Sequence, residues 1–387
     1  MRMERWKILN LIGIMVPFAL SSFSVFSISM IIEPLSRSLH VPVTSIFATI
    51  PIDFIGGAIG GLLFGYIADK IGRKPIMIIS VILFSVPLFL ASISTNLIEI
   101  YVLWFIIGFG VNAQNGSSYP IVVETLQRST GVTGGLLQSL YFLGFLLDSI
   151  TFVSFHYWRT FLVVCGLIAL VPSISVSLFL RETGRKGVAR AGISSIRGKL
   201  AIYTVGFSAV VAGAFMFSVP LMGVVPTYLR EINAPSAEIV PFSLIGFAFF
   251  ILAGYFSDKF GRGRVTFIFS LLCILFGSLL FVESEHYVSL VIIAFMYASS
   301  GFFSFSGIWV SENYPVEYRA TATNIVFFAG RIIGGFSPLI ASLLYSSSLG
   351  RGIGLVGVVS GVIALVGVAI IFSFNYVTEG NHSTHKY

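Results

Sequence analysis

The chain has 387 residues, of which 56% are hydrophobic, 10% are charged and 38 are phenylalanine, and its formal net charge is +7. So much apolar surface cannot be buried inside a soluble domain, which excludes that class and makes lipid the solvent. Backbone groups in lipid must bond one another, and the apolar runs lack the alternation of barrel strands, so we expect helices. Most of the basic residues lie at the termini and in alternate turns between the apolar runs, a distribution that argues against a nucleic-acid partner.

Apolar runs of membrane-spanning length follow one another along the chain. The first comes after Arg2, Arg5 and Lys7, as the core of a signal peptide would. It is too long for that and has no small-residue cleavage site, so we interpret it as a retained span. Cys165 and Cys273 lie inside runs and predict neither a disulfide nor a metal site. The predicted spans cover residues 9–32, 43–67, 75–93, 99–122, 131–156, 160–180, 200–226, 239–256, 265–282, 287–310, 321–346 and 352–375.

The positions of the positive charges predict the orientation in the membrane. Of the 23 Lys and Arg residues, 18 lie at the termini or in the even-numbered turns. The positive-inside rule therefore places both termini in the cytoplasm of a multi-pass cell-membrane protein. Residues 181–199 form the longest polar connection, and we expect either a solvated linker or an interfacial helix on anionic lipid. This segment separates an N-terminal six-helix bundle, residues 1–180, from a C-terminal six-helix bundle with a short tail, residues 200–387.

One charged turn occurs twice in the sequence. Residues 65–75 read GYIADKIGRKP, and residues 254–264 read GYFSDKFGRGR. Four positions recur at one offset of 189 residues: Gly65, Asp69, Gly72 and Arg73 recur as Gly254, Asp258, Gly261 and Arg262. This pattern resembles the loop between the second and third helices in each half of the major facilitator superfamily. The resemblance implies a secondary transporter with two six-helix bundles related by an axis along the membrane normal.

A second charged turn in each half completes the pattern. Glu312, Pro315 and Arg319 resemble the E-x-x-P-x-x-x-R element of sugar porters and related metabolite–proton symporters, whereas in the first half Pro120 precedes the glutamate. In such turns an Asp can face a helix N-terminus and an Arg can bridge to an acid. The resemblance implies gates that close the cytoplasmic side, and the alternative is a topology anchor of basic residues with incidental acids. The predicted clusters are Asp69, Arg73, Glu124 and Arg128, and Asp258, Arg262, Glu312 and Arg319.

Three ionisable residues lie inside predicted spans, where charge is costly and marks function by default: Asp53, Asp148 and Arg331. Arg331 has three interpretations: it binds an anionic substrate, it pairs with Asp53 as a gating bridge, or it bonds helix carbonyls. Asp53 and Asp148 are the candidates for proton coupling. For Asp148 the alternative is a structural, hydrogen-bonded carboxyl. The segment GRIIGGFSP around Arg331 resembles span eleven of aromatic-acid and related organic-acid proton symporters.

Neutral polar side chains form a further candidate group. Asn112, Asn115 and Tyr119 share one face of the fourth span, and Gln138 lies at a similar depth in the fifth, where LLQSLYFLG resembles the fifth helix of sugar porters. These side chains either line a substrate cavity or bond across helix interfaces. The seventh span, GAFMFSVPLMGVV, lacks the paired glutamines of sugar porters, which disfavours a hexose. The span-one acid and span-four Arg of organic-acid symporters are also missing, and Trp104 stands at the latter position.

These features predict a monomeric transporter in the lipid bilayer that moves a small organic anion with protons by alternating access. We expect no enzyme activity and no cofactor, because the sequence has no metal-spaced His cluster, phosphate loop or nucleophile elbow. A drug or metabolite exporter would use the same fold and motifs. A membrane sensor that binds a ligand without moving it is the alternative from another class.

Overall fold

The structure is a computed structural model that describes residues 5–126, 131–181, 196–283, 285–314, 316–344 and 348–375. Within these residues the regular elements are all helical. They contain twelve spans long and apolar enough to cross a membrane. The predicted all-α membrane fold with twelve spans is therefore confirmed.

We refer to α1–α7 as the N-terminal half and to α8–α16 as the C-terminal half. The first helix is longer than its predicted apolar run and includes the charged residues at both of its ends. The N-terminal half comprises α1 Arg5–Leu39, α2 Val43–Phe47, α3 Thr49–Ile71, α4 Arg73–Ser92, α5 Leu97–Leu126, α6 Gly131–Ser154 and α7 Trp158–Ser177. The C-terminal half comprises α8 Lys199–Gly223, α9 Val225–Glu231, α10 Ile239–Phe260, α11 Arg262–Val282, α12 His286–Ser299, α13 Ser306–Glu312, α14 Val316–Gly335, α15 Ser337–Leu344 and α16 Leu349–Asn375.

Three of the spans are broken into shorter helices, and proline accounts for two of the breaks. Pro51 has no N–H to donate to the carbonyl of Phe47, so a helical hydrogen bond is missing where α2 ends. Pro338 likewise cannot donate to the carbonyl of Gly334, near the end of α14. In the tenth span a 3₁₀ turn at Ser300–Phe305 separates α12 from α13. Short 3₁₀ stretches inside helices often mark functional hinges.

The repeated turn is a single residue long in both halves. Gly72 connects α3 to α4 and Gly261 connects α10 to α11, with φ angles of 102° and 88°. Side-chain-bearing residues rarely adopt this backbone conformation, so glycine is required at both positions. Because each turn has no spare residue, Arg73 and Arg262 fall on the first position of the next helix. We call the side of the molecule that carries these turns the basic side.

Helix α3 contains two adjacent stripes of glycine, in the sequence IGGAIGG. Gly56 and Gly60 face α5 so closely that an added Cβ at either would overlap a backbone carbonyl. Gly57 and Gly61 form the second stripe and face polar side chains of α5 and α14 instead. The first stripe is therefore a small-xxx-small helix contact, and the second borders the space between the halves.

The halves meet along two long seams. In the α6–α10 seam, an added Cβ at Gly131 or Gly254 would overlap the backbone of the opposite helix, and one at Gly135 would lie 2.6 Å from the Phe250 carbonyl oxygen. In the α3–α14 seam, the Phe54 side chain packs against Gly335. Backbone atoms thus touch in the first seam, whereas side chains separate the helices in the second.

Candidate transport site

A cavity of about 50 Å³ lies between the two halves, beside the α3–α14 seam. Its residues come from α1, α3, α5 and α6 on one side and from α8, α14 and the 3₁₀ turn on the other. Six of its twelve lining residues are aromatic, and four are charged or carry an amide. The lining residues are Val25, Phe26, Asp53, Phe54, Val111, Asn112, Gln138, Tyr141, Phe215, Phe303, Phe327 and Arg331.

Arg331 reaches this cavity from α14. Its guanidinium carbon lies 5.5 Å from the ring centroid of Phe327 and 6.0 Å from that of Phe215, which places the cation beside two aromatic rings. A Cβ added at Gly61 in the opposite half would lie 3.3 Å from Arg331 Nη1. The glycine therefore leaves room for the cation of α14 to lie against α3.

Asp53 enters the same cavity from α3 and is only 3% exposed. Its Oδ1 atom has no hydrogen-bond partner, and among the described residues no salt bridge joins it to Arg331. A buried carboxyl group without a fixed partner is costly in its charged form. The structure therefore brings the predicted acid and base to one site without pairing them directly.

The neutral residues of the predicted site divide into two sets. Asn112 and Gln138 line the cavity, and Asn112 Nδ2 donates a hydrogen bond to the Gly108 carbonyl oxygen at 3.2 Å. Asn115 and Tyr119 lie on α5, but their side chains fall outside the described part of the molecule. The prediction that all four line one cavity is therefore tested only for the first two.

Asp148 is fully buried on α6, and neither of its carboxylate oxygens has a hydrogen-bond partner among the described residues. It is not among the residues that line the central cavity. The two acids that the sequence places at membrane depth thus occupy different environments. Only Asp53 lies where a substrate in this cavity would touch it.

On the basic side, Arg262 joins two acids of the C-terminal half. Its Nε and Nη2 atoms donate to the two Glu312 carboxylate oxygens at 2.5 and 2.6 Å, and its Nη1 atom lies 3.3 Å from Asp258 Oδ1. Asp258 in turn accepts hydrogen bonds from the backbone N–H groups of Gly131 and Val132 at 2.8 and 3.2 Å. These amides open α6, so the carboxylate binds a helix N-terminus of the other half.

Most of the remaining predicted gate residues cannot be placed in detail. Arg128 lies outside the described residues, as do the surroundings of Gly65 and the side chains of Asp69, Glu124 and Arg319. Of the N-terminal cluster, only the position of Arg73 at the start of α4 is described. Gly254 faces the backbone of Gly131 across the α6–α10 seam, as expected for a glycine that allows close approach. The gate function of both clusters stays a prediction.

The aromatic lining of the cavity was not predicted from the sequence. With 38 phenylalanines in the chain, the type of residue carries no positional signal. Phe215, Phe303 and Phe327 are recognised only once the C-terminal helices are assembled. The sequence does contain a signal for Tyr141, because it follows Gln138 by three residues and so lies on the same face of the helix.

Comparison with known proteins gives a consistent answer. The model of the Major Facilitator Superfamily matches residues 14–296 and 207–386. The sialic acid transporter NanX of Escherichia coli K12 is 25% identical over 341 residues, which cover 81% of each chain. A gallate transporter of Pseudomonas putida is 26% identical over 371 residues, covering 82% of this chain and 79% of the relative.

Among solved structures, a bacterial homologue of the human lysosomal transporter Spinster superposes with a TM-score of 0.72 at 13% sequence identity. The match covers 96% of this chain and 97% of that one, and at this identity it concerns the fold alone. The family match spans both halves of the chain, and the superposition extends over nearly its whole length. The protein belongs to the major facilitator superfamily and is a multi-pass membrane transporter of small metabolites.

Proposed function

We propose that this transporter is a proton-coupled symporter of a small organic anion that binds in the central cavity. The observation that carries the proposal is that a cation, Arg331, and an acid, Asp53, reach one buried cavity from opposite halves. The two relatives described above are transporters of carboxylic acids by name, which supports an anionic substrate. Alternating access would expose this cavity to each side of the membrane in turn.

In this proposal Arg331 binds the substrate carboxylate, because a guanidinium presents two parallel donors that match the two carboxylate oxygens. The amides of Asn112 and Gln138 supply bonds to neutral polar groups. The surrounding phenylalanine rings favour a flat or apolar body. A cavity of about 50 Å³ holds only a few water molecules, so the seam must widen before an organic acid fits.

Asp53 carries the coupled proton. Its carboxyl group is buried, lines the cavity and has no hydrogen-bond partner at Oδ1 among the described residues. Protonation and deprotonation would then alternate as access to the cavity switches. The cluster of Asp258, Arg262 and Glu312 is assigned the gate on the basic side, which the positive-inside rule makes cytoplasmic. The proposed transporter works as a monomer.

The substrate class is tested by binding of matched acids and amides to the purified protein. Gallate and benzoate are compared with gallamide and benzamide, which have the same rings without the negative charge. We expect the acids to bind and Arg331→Lys to weaken that binding by about tenfold or more, since a hydrogen bond to a charged group contributes about 1.5–3 kcal/mol. The matched control is Arg351→Lys, at an exposed cation outside the cavity. Equal binding of acids and amides would contradict the proposal.

Transport itself is tested by counterflow of labelled gallate in proteoliposomes. Counterflow separates a transporter from a sensor, because a sensor binds the ligand without moving it. Uptake driven by an acid-outside pH gradient would support symport. Extrusion driven by the same gradient would instead indicate the exporter.

A further inference from the structure

Helix α1 contains a proline that leaves one of its carbonyl groups without its usual donor. In an α-helix the carbonyl of residue 30 accepts from the N–H of residue 34, and Pro34 has no N–H. The Met30 carbonyl is therefore free to accept a bond from outside the helix. Met30 is 1% exposed, so an unmet acceptor here would be costly.

The donor that satisfies this carbonyl comes from the other half of the protein. Arg230, near the end of α9, donates from Nη2 to the Met30 carbonyl oxygen at 2.5 Å. Its guanidinium carbon also lies 5.1 Å from the ring centroid of Phe152 on α6. One side chain of the C-terminal half is thus held by two helices of the N-terminal half, on the side opposite the basic side.

Burial and two charged residues of α1 act on the Arg230 cation in opposite directions. Burial lowers the pKa of Arg230, and the nearby Glu33 carboxylate opposes that shift, with Arg37 acting in the same direction as burial. Glu33 itself lies 3.8 Å from Arg37.

We propose that Arg230 and the Met30 carbonyl freed by Pro34 form a latch that closes the protein on the side opposite the basic side. The latch rests on the proposed function only in assuming that the protein alternates between a conformation open to the basic side and one open to the opposite side. It is the counterpart of the contact between Asp258 and the start of α6, since each joins a charged side chain to a main-chain group of the other half. Opening the cavity toward this side requires the Arg230 bond to break.

The chain provides a matched control for this contact. Arg159 Nη1 donates to the Ser92 carbonyl oxygen at 2.6 Å, and its guanidinium carbon lies 4.2 Å from the ring centroid of Trp158. The chemistry is the same as at Arg230, namely an arginine on a carbonyl beside an aromatic ring. All three residues belong to the N-terminal half, so this bond does not join the halves.

A reporter for the latch is a cysteine at Thr227, which lines a second cavity of about 430 Å³ beside α9 and is 4% exposed. The reporter is placed in a background without the buried Cys165 and Cys273. Its rate of labelling by a membrane-impermeant maleimide, without substrate or pH gradient, measures how often this side opens. Because no ligand is involved, the result does not depend on whether the substrate is an anion.

We expect Arg230→Gln to raise the labelling rate by about tenfold, as for loss of one hydrogen bond to a charged group. Pro34→Ala changes no side chain of the latch, yet it should act in the same direction because its N–H competes for the Met30 carbonyl. The double variant should label no faster than the faster single variant. Arg159→Gln should label at the parent rate.

Three results would overturn the latch. One is parent-like labelling in both Arg230→Gln and Pro34→Ala. Another is an equal increase in Arg159→Gln, which would indicate general loosening. The third is a double variant whose increase is the product of the single increases, because two residues of one latch cannot act independently. If Arg230→Gln does not fold, Pro34→Ala and the control decide the matter.

Discussion

The two seams between the halves differ in what fills them. Along the α6–α10 seam, glycines bring backbone against backbone, and the N-terminal amides of α6 bind Asp258 directly. Along the α3–α14 seam, the helices are separated by side chains, among them Phe54 and Arg331, and the central cavity lies beside them. Backbone contacts such as those of the α6–α10 seam cannot adjust locally, so the two helices either stay together or separate as rigid bodies. Side chains can change rotamer in place, so the second seam is the one that can adapt to a ligand.

The two helices of the N-terminal half that form the seams also contain one buried acid each, Asp148 on α6, close to Cys165 of α7 within the N-terminal half, and Asp53 on α3. They are alike in burial, and each has at least one carboxylate oxygen without a partner among the described residues. They differ in access, because only Asp53 borders the cavity. We therefore expect the carboxyl group beside the cavity to couple transport to protons and the one packed inside the N-terminal half to be structural.

The largest effect is expected from removing these acids one at a time. Asp53→Asn should abolish uphill accumulation of gallate under a pH gradient and keep counterflow, because the substrate still binds but no proton is exchanged. Asp148→Asn is the matched control and should keep both activities. Both are measured in the same proteoliposomes. Coupling lost in Asp148→Asn but kept in Asp53→Asn would reverse our assignment.

A smaller effect is expected from adding one methyl group to each seam. Gly254→Ala places a Cβ against the Gly131 backbone, and overpacking of this kind costs about 1–3 kcal/mol. Its melting temperature should fall by several degrees. Gly61→Ala meets only the flexible end of Arg331, so its melting temperature should stay close to that of the parent. Equal melting of the two variants would remove the distinction between the seams.

The smallest effect is expected at the basic-side cluster. Glu312 has 41% of its side chain exposed, and an exposed ion pair is worth at most about 1 kcal/mol. Glu312→Gln should therefore shift the opening of the basic side by less than about fivefold. Asp258→Asn should shift it further, because this carboxylate bonds across the seam to the backbone of α6. Labelling of a cysteine near Gly131 from the basic side measures both, and the reverse order of effects would contradict the assignment.

The number of spans and the all-α membrane fold could be predicted because the length and apolarity of each run identify it as a membrane-spanning helix. The repeated Gly72 and Gly261 were predicted to lie in turns, and their positive φ explains why glycine recurs there. Asp53 and Arg331 were predicted to lie inside membrane spans because each stands within a long apolar run. These properties need no knowledge of neighbouring helices.

What could not be predicted depends on pairs of distant segments. The Met30 carbonyl is not visible in a sequence, and Pro34 shows only that it is available, not that Arg230 reaches it. The two glycine stripes of α3 have the same composition, so only the packed structure shows which of them lies directly against the backbone of α5. In the count of Lys and Arg residues that predicts the orientation, Arg230 is one charge on the non-cytoplasmic side, and such a count says nothing about its partner.

The second glycine stripe also bears on how this transporter could acquire new specificities. Gly61 faces the flexible end of Arg331, so a larger residue there would take space from the cavity without separating α3 from α5. A larger residue at Gly57 would in addition displace the Asn112 side chain of α5. Gly56 and Gly60, one position earlier, have no such freedom. Selection for a smaller or larger substrate can therefore act on Gly61 while the backbone contacts next to it are unchanged. In a laboratory library, saturating Gly61 would sample substrate size at little risk to folding.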